Sequence, residues 1–416
     1  MAQPADNQTD IAIKGEGTQR VPALDALRGL AVAGIALMNV IAFSMPAAAY
    51  VNPRSFGGTG ALETALWALV FVLVEDKFRA LFAIMFGAGV AILFGKQDSG
   101  GWKGHIARMA VLFAIGWLHA LLLANNDILR VYAIGGLLLP LVLRLRVKTL
   151  VFLAAAIMAA QLAVSGYVAW GWLEYWYRYT SGLTDNYAPL LPAEQRFGAD
   201  PDVLARALEL GDESFAARME RRLSDLISPI AAVMSGLPSS LAAMLLGIAM
   251  WKNGILSGAW AASRLLRAGW RLAAIALPAL ALMAGLAIWS GFDAVVTASI
   301  VLVWSAPFDM VLGGAWAMLA MALFSRGGAF TRALAAAGRM ALTNYLLTSL
   351  IFAAMFANWG LGLFGEVGRA PAYVLALLPI AVMLIISPLW LQHFRQGPLE
   401  WLWRSIAGWR FLPFRR

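Results

Sequence analysis

The chain has 416 residues, no cysteine, 61% hydrophobic residues and only 13% charged ones, whereas soluble domains are about half apolar and about a quarter charged. That balance excludes a soluble globular protein, a disordered chain and a disulfide framework. Zero cysteine also removes thiolate metal sites and cysteine nucleophiles, and three histidines (His105, His119, His393) leave little for a metal centre, so no metal is expected. The net charge of +9 has to be read by position, because membrane proteins gather Lys and Arg on one side.

Residues 1–20 are polar and read as a disordered cytoplasmic tail. A bilayer core of roughly 30 Å takes about 20 apolar residues of helix. Runs of about that length occur at 29–50, 107–124, 128–143, 148–170, 228–250, 269–289, 340–358 and 371–391. Two longer stretches are interrupted: 61–95 by Glu75-Asp76-Lys77-Phe78-Arg79, and 293–324 by Pro307 and Asp309. Each reads as one span plus an extension that lies at the interface or re-enters the membrane. The predicted fold is an all-α integral membrane protein, a polytopic bundle of about ten transmembrane helices with both termini cytoplasmic. Five spans fall in 21–170 and five in 227–391, on either side of an outer segment at 171–226, and 392–416 is a basic cytoplasmic tail.

Charge placement agrees with that threading. The inner connections carry Lys96, Lys103 and Arg108, then Arg144, Arg146 and Lys148, then Lys252, Arg264, Arg267 and Arg271, then Arg326, Arg332 and Arg339. The long outer segment is net acidic. The basic balance is thus a topology signal, the partner it implies is the lipid bilayer, and no nucleic acid is expected. The outer segment opens with Trp170, Trp172, Tyr175, Trp176, Tyr177 and Tyr179, an interfacial aromatic belt. Its later part, 200–226, reads as one or two amphipathic helices, with Asp200 and Pro201 as cap and first turn, and has the makings of a lid.

Ionisable groups inside spans are costly and are therefore functional candidates. His119 lies in an apolar run one and a half turns before the outer end of the third span, and Asp127 and Arg130 follow at a short turn. Short turns make antiparallel neighbours, which brings the three together. A His of near-neutral pKa serves as general base, and Asp127 or Asp76 would orient it. Lys77, Arg79 or Arg130 would hold an anion or a developing oxyanion, with Glu75 beside them. Ion pairs at the water boundary explain the 75–79 charges equally well. At the inner end, Asp25 and Arg28 share a helical face in LDALRG and suit an ion pair or an anionic group. Asn39 and Asn344 sit mid-span and need interhelical partners, as does Asp309 if buried. His105 and His393 fall in basic loops and read as solvated, and Gly87 and Gly89 read as close helix packing rather than a nucleotide fingerprint.

Five stretches in order resemble the YeiB-like family of bacterial inner-membrane proteins: RVPALDALRGLAVAGIALMNVIAF (20–43), EDKFRALFAIMFGAGVAIL (75–93), GWLHALLLANNDILRVYAIGGLLL (116–139), GRMALTNYLLTSLI (338–351) and GPLEWLWRS (397–405). That family more distantly resembles the transmembrane acyltransferases, including heparan-alpha-glucosaminide N-acetyltransferase, through Leu24, Asp25, Leu27, Arg28 and Gly29 and through Asp76, Phe78, Phe82 and Phe86 to Gly89. The resemblance implies a multi-pass protein of the inner membrane. It would take an acyl group from cytosolic acyl-CoA and pass it to a periplasmic or lipid-linked acceptor. Asp25 and Arg28 would face the CoA side. The acetyltransferase's catalytic His lies after its first helix, and 51–60 here has none. Either His119 takes the role from another helix or this branch lost the chemistry. The alternatives are a transporter whose buried charges line a path through discontinuous helices, and a non-catalytic scaffold. A homo-oligomer fits either.

Overall fold

The structure, a computed structural model, describes residues 21–95, 101–124, 127–225 and 227–416, so the expected tail at 1–20 lies outside the described residues. The helices in chain order are α1 (Pro22–Ser44), α2 (Ala48–Val51), α3 (Ala61–Leu73), α4 (Lys77–Phe94), α5 (Gly101–Leu122), α6 (Ile128–Val142), α7 (Val147–Thr180), α8 (Leu191–Phe197), α9 (Pro201–Gly211), α10 (Phe215–Ser224), α11 (Ile227–Lys252), α12 (Ala262–Trp289), α13 (Ala294–Ser299), α14 (Ala306–Phe324), α15 (Ala329–Arg339), α16 (Ala341–Phe356), α17 (Arg369–His393) and α18 (Pro398–Ala407). Among the described residues there is no strand, only one isolated bridge between Phe394 and Arg415. The bilayer dictates this, since a spanning segment must satisfy its own backbone N–H and C=O groups.

Among the described residues eight helices are long and apolar enough to cross a membrane, and the α15–α16 pair, bent by 88°, is either a broken span or a re-entrant loop. The chain is a multi-pass membrane protein. The tenth expected span is α6, whose 15 residues reach only about 22 Å. Two boundaries differ from the sequence reading. Pro22 at the first helical position starts α1 seven residues early, so Asp25 and Arg28 lie inside the helix. Helix α7 runs 34 residues to Thr180, which makes the aromatic belt the outer end of a continuous helix rather than the beginning of a loop. The stretch from 294 to 324 is one path, α13 and α14 being joined by a π-helical turn, Ile300–Trp304.

Glycines set the tightest helix crossings. A Cβ on Gly338 of α15 would stand 1.8 Å from the Asp25 carbonyl oxygen, and one on Gly29 of α1 would stand 2.1 Å from that of Leu334. Gly87 on α4 and Gly247 on α11 make the equivalent contact, each 2.0 Å from a carbonyl oxygen of the other helix. Backbone approach of this kind drives association where lipid removes the hydrophobic contribution. Gly89 instead faces Arg28.

Buried polar groups find partners between helices. Asn344 donates to Ala337 O and to Ser387 Oγ on α17, both at 2.9 Å. His105 corrects the sequence reading: it is fully buried in α5, not solvated. Its Nε2 lies 2.8 Å from Gly136 O on α6. Pro140, four residues on, has no N–H for that carbonyl, and the imidazole N–H takes its place. His393 is exposed, as expected.

The 88° bend at Met340 leaves the first N–H groups of α16 without a local cap. Glu400 on α18 supplies one. Its Oε1 accepts from Leu342 N at 2.7 Å and Thr343 N at 3.1 Å, and its Oε2 from Thr343 Oγ1 at 2.5 Å. Glu400→Ala is expected to cost about 1–3 kcal/mol and to raise hydrogen exchange in the first turn of α16. Unchanged protection there would show that the cap contributes nothing.

Candidate functional site

Helices α5 and α6 are antiparallel neighbours, and their junction carries a buried pair. Asp127 caps α6, with Oδ1 accepting from Arg130 N at 3.1 Å. Its Oδ2 lies 2.6 Å from His119 Nδ1, and both side chains have zero exposure. A carboxylate only accepts, so Nδ1–H donates and Nε2 is left as the basic nitrogen. Nε2 is buried and has no hydrogen-bond partner among the described residues. Gly116 permits the approach, since a Cβ there would stand 2.6 Å from Asp127 Oδ1 and 2.9 Å from Arg130 N. Tyr345 of α16 closes the other side, its ring 5.1 Å from the imidazole and its hydroxyl 3.4 Å from Asp127 Oδ2. Arg130, 1% exposed, brings Nε to 4.0 Å from Asp127 Oδ1 and lies over Trp117.

Leu123 and Ala124, one turn beyond His119 on α5, line a cavity of about 530 Å³, well within the size of a ligand site. Its floor is Asn39, Ala42 and Phe43 of α1 with Ala353 and Phe356 of α16. Its roof is the outer segment. Asp200 caps α9 as the sequence predicts, accepting from Asp202 N and Val203 N. Glu213 accepts from Arg218 Nε at 3.2 Å and Arg221 Nε at 3.0 Å, and also pairs with Arg221 Nη2. Arg222 Nη1 donates to Ala120 O at 3.2 Å and Leu121 O at 2.8 Å, closing the open carbonyl end of α5.

The charges at 75–79 form a separate cluster. Lys77 Nζ pairs with Asp309 Oδ1 of α14 at 2.6 Å and donates to Phe71 O, and Ser305 Oγ donates to Asp309 Oδ2 at 2.7 Å. Asp76, at φ 58°, breaks α3 from α4 and pairs with Arg79 at 2.9 Å. Arg79 reaches Tyr50 at 3.3 Å. Glu75 faces a space of about 10 Å³ shared with Tyr50, Arg369 and Tyr373. Asp76 is thus not the partner of His119, and Lys77 and Arg79 are engaged away from it. Asp25 and Arg28 pair at 3.2 Å at the other end of the bundle, where Asp25 lines a cavity of about 360 Å³ with Arg332, Arg339 and Arg416. Of the sequence candidates, His119, Asp127 and Arg130 meet and Asn39 shares the adjoining cavity. Tyr345, Gly116 and the roof arginines were missed. Tyr345 follows Asn344 in a stretch whose only singled-out residue is the amide, and the arginines belong to amphipathic helices whose net acidic segment hides a local basic cluster. Among the described residues no three of His, Asp and Glu converge as a metal site would.

Two full-length relatives fit this chain. "Uncharacterized protein YeiB" of Escherichia coli (strain K12) is 29% identical over 399 residues, covering 94% of this chain and 96% of the relative. "Uncharacterized protein YxaH" of Bacillus subtilis (strain 168) is 27% identical over 422 residues, 96% of each. Along nearly its whole length the chain is similar to these two proteins. A third match, "Uncharacterized 39.9 kDa protein in amylase 3'region" of Bacillus acidopullulyticus, is 28% identical over 124 residues, 29% of this chain and 33% of the relative. The family described as "Protein of unknown function (DUF418)" matches residues 250–410, which hold Tyr345 and Glu400 but not the His119–Asp127 pair. No solved structure matches the chain.

Two expectations follow from this geometry. Gly116→Val should cost about 1–3 kcal/mol by overpacking, read as a lowered melting temperature in detergent. Gly285→Val is the control, since a Cβ at Gly285 meets nothing within 4 Å, and equal losses would refute the account of Gly116. Hydrogen bonds from Arg221 hold the Glu213 carboxyl below the usual carboxylate value. A depressed folded value means that the stabilisation is present above the unfolded pKa, about 4.3, and is lost as pH falls through the lower folded one. Amide exchange in α10, corrected for its intrinsic pH dependence, should therefore rise on acidification below that range, and the rise should vanish in Glu213→Gln.

Proposed function

We propose that this protein is a membrane acyltransferase, moving an acyl group from cytosolic acyl-CoA to an acceptor at or beyond the far face of the inner membrane. The observation that carries the reading is the buried His119 imidazole, with Nδ1 held by Asp127 and Nε2 without a partner among the described residues, one turn beneath a ligand-sized cavity. An orienting carboxylate on one nitrogen and a free second nitrogen suit general-base work.

In the proposed reaction Nε2 takes the proton from an acceptor hydroxyl or amine, and the acceptor atom attacks the thioester carbonyl carbon. The C–O or C–N bond forms, the C–S bond breaks, and the departing CoA thiolate takes the proton from the imidazolium. Asp127 stabilises that imidazolium, and Arg130, beside the same carboxylate, contributes positive charge near the developing oxyanion. The cytoplasmic placement of both termini rests on the basic connections, and it puts the His119 cavity on the side away from cytosolic acyl-CoA. The intact thioester must then reach His119 through the bundle before its C–S bond breaks.

The test is acyl-CoA binding and thioester loss by the purified chain in nanodiscs, wild type beside His119→Ala and Asp127→Asn. Turnover should fall about 10²–10⁴-fold in His119→Ala, with binding retained. Unaltered turnover in that variant would remove His119 from the mechanism. One observation favours a second reading: the Lys77–Asp309 pair is buried where α3 breaks from α4, and discontinuous helices with buried charge are a transporter device. Substrate flux in proteoliposomes without thioester loss would select it.

A further inference from the structure

The cavity above His119 has two chemistries. Its floor is apolar, with Ala42, Phe43, Ala353 and Phe356 in the bundle, whereas its roof brings Arg218, Arg221 and Arg222 against a single lining carboxylate, Glu213. Glu213, which lines the cavity, and Asp225, which also acts on Arg221, offset two of the three guanidiniums, so the roof keeps one positive charge in excess. Arg222 Nε is buried and has no hydrogen-bond partner among the described residues, although the same guanidinium holds the end of α5 through Nη1. The side of the cavity is α11, where Ser228 and Ala232 line it while Ile230 and Met234 are exposed apolar residues of a spanning helix. The cavity therefore meets the bilayer along α11. The roof helices also carry exposed apolar residues, Leu210, Phe215 and Leu223, as helices lying in the membrane interface do.

We infer that this cavity binds an anionic lipid, its phosphate under the arginine roof and the first part of its chains against the apolar floor. Guanidinium groups recognise phosphate oxygens by charge-assisted, often bidentate hydrogen bonds. A volume of about 530 Å³ takes a headgroup and the adjoining chain segments, the rest continuing into the bilayer past α11. The apolar floor favours a lipid over a soluble phosphate, which would gain nothing from it. The inference deepens the acyl-transfer reading, on which it rests only for the lipid's role as acceptor; binding itself needs no turnover.

The experiment uses the full chain in phosphatidylcholine nanodiscs containing a trace of photoactivatable phosphatidylglycerol, with crosslinked peptides read by mass spectrometry. Crosslinks are expected in 207–232 and should be displaced by unlabelled phosphatidylglycerol but not by added phosphatidylcholine. Replacing two guanidiniums, in Arg218→Gln with Arg221→Gln, should weaken the site about tenfold or more. Glu213→Gln removes one neutralising carboxylate and should strengthen it. The two changes break the same roof cluster, so a purely structural role predicts losses in both. The inference is overturned if both variants lose crosslinking, if phosphatidylcholine competes equally, or if soluble glycerol phosphate displaces the probe as well as the lipid does. Binding with this pattern in a His119→Ala chain would uphold the lipid site even where the acyl-transfer reading fails.

Discussion

Water is absent from the bilayer core, so a polar group placed there must be matched by another group of the same chain. Much of this structure is a set of answers to that demand. The first N–H groups of α16 are matched by Glu400 from another helix, and the last carbonyls of α5 by Arg222 from outside the spans. The Gly136 carbonyl left open by Pro140 is matched by His105, the Asn344 amide by Ser387, and Lys77 by Asp309. The demand is not met everywhere: among the described residues His119 Nε2, His105 Nδ1, Trp67 Nε1 and Arg222 Nε are buried without a hydrogen-bond partner.

Helix number and type were legible because bilayer thickness fixes how many apolar residues a crossing needs. Boundaries were less so. Apolar counting could not see that Pro22 extends α1 through Asp25 and Arg28, nor that α7 carries its aromatic residues outward on a continuous helix. The His119–Asp127 neighbourhood was legible because a short helical connection leaves antiparallel packing as the simple solution. Tyr345 was not, because it arrives from a helix more than two hundred residues away and no local spacing reports such a contact. His105 was misjudged for a related reason: its basic neighbours suggested solvent, while the carbonyl that holds it belongs to a proline-interrupted helix elsewhere in the chain.

The five sequence stretches that carry the YeiB-like resemblance have a physical reason to occur together. The glycine of LDALRG, Gly29, packs on the helix that carries Gly338, which opens GRMALTN, and Glu400 of GPLEWLWRS caps the helix that follows. The third stretch holds Gly116, His119, Asp127 and Arg130 and therefore the pair itself. Arg222 grips the carbonyls of the two residues directly after His119, so the roof and the imidazole are fastened to the same end of α5. Movement of the roof and orientation of the base are mechanically joined.

The π turn between α13 and α14 bears on how this chain can change over time. Ser305 N donates to Ile300 O at 3.0 Å, five residues back instead of four, which is the signature of one residue inserted into an α-helix. Deleting a residue from 300–304 would restore ordinary winding and rotate everything after it by about 100°. Asp309 would swing away from Lys77, leaving a charge on each side of a dry interface. A single deletion there would therefore unpair Lys77 and Asp309, and ordinary winding is compatible with this interface only if both charges are removed as well.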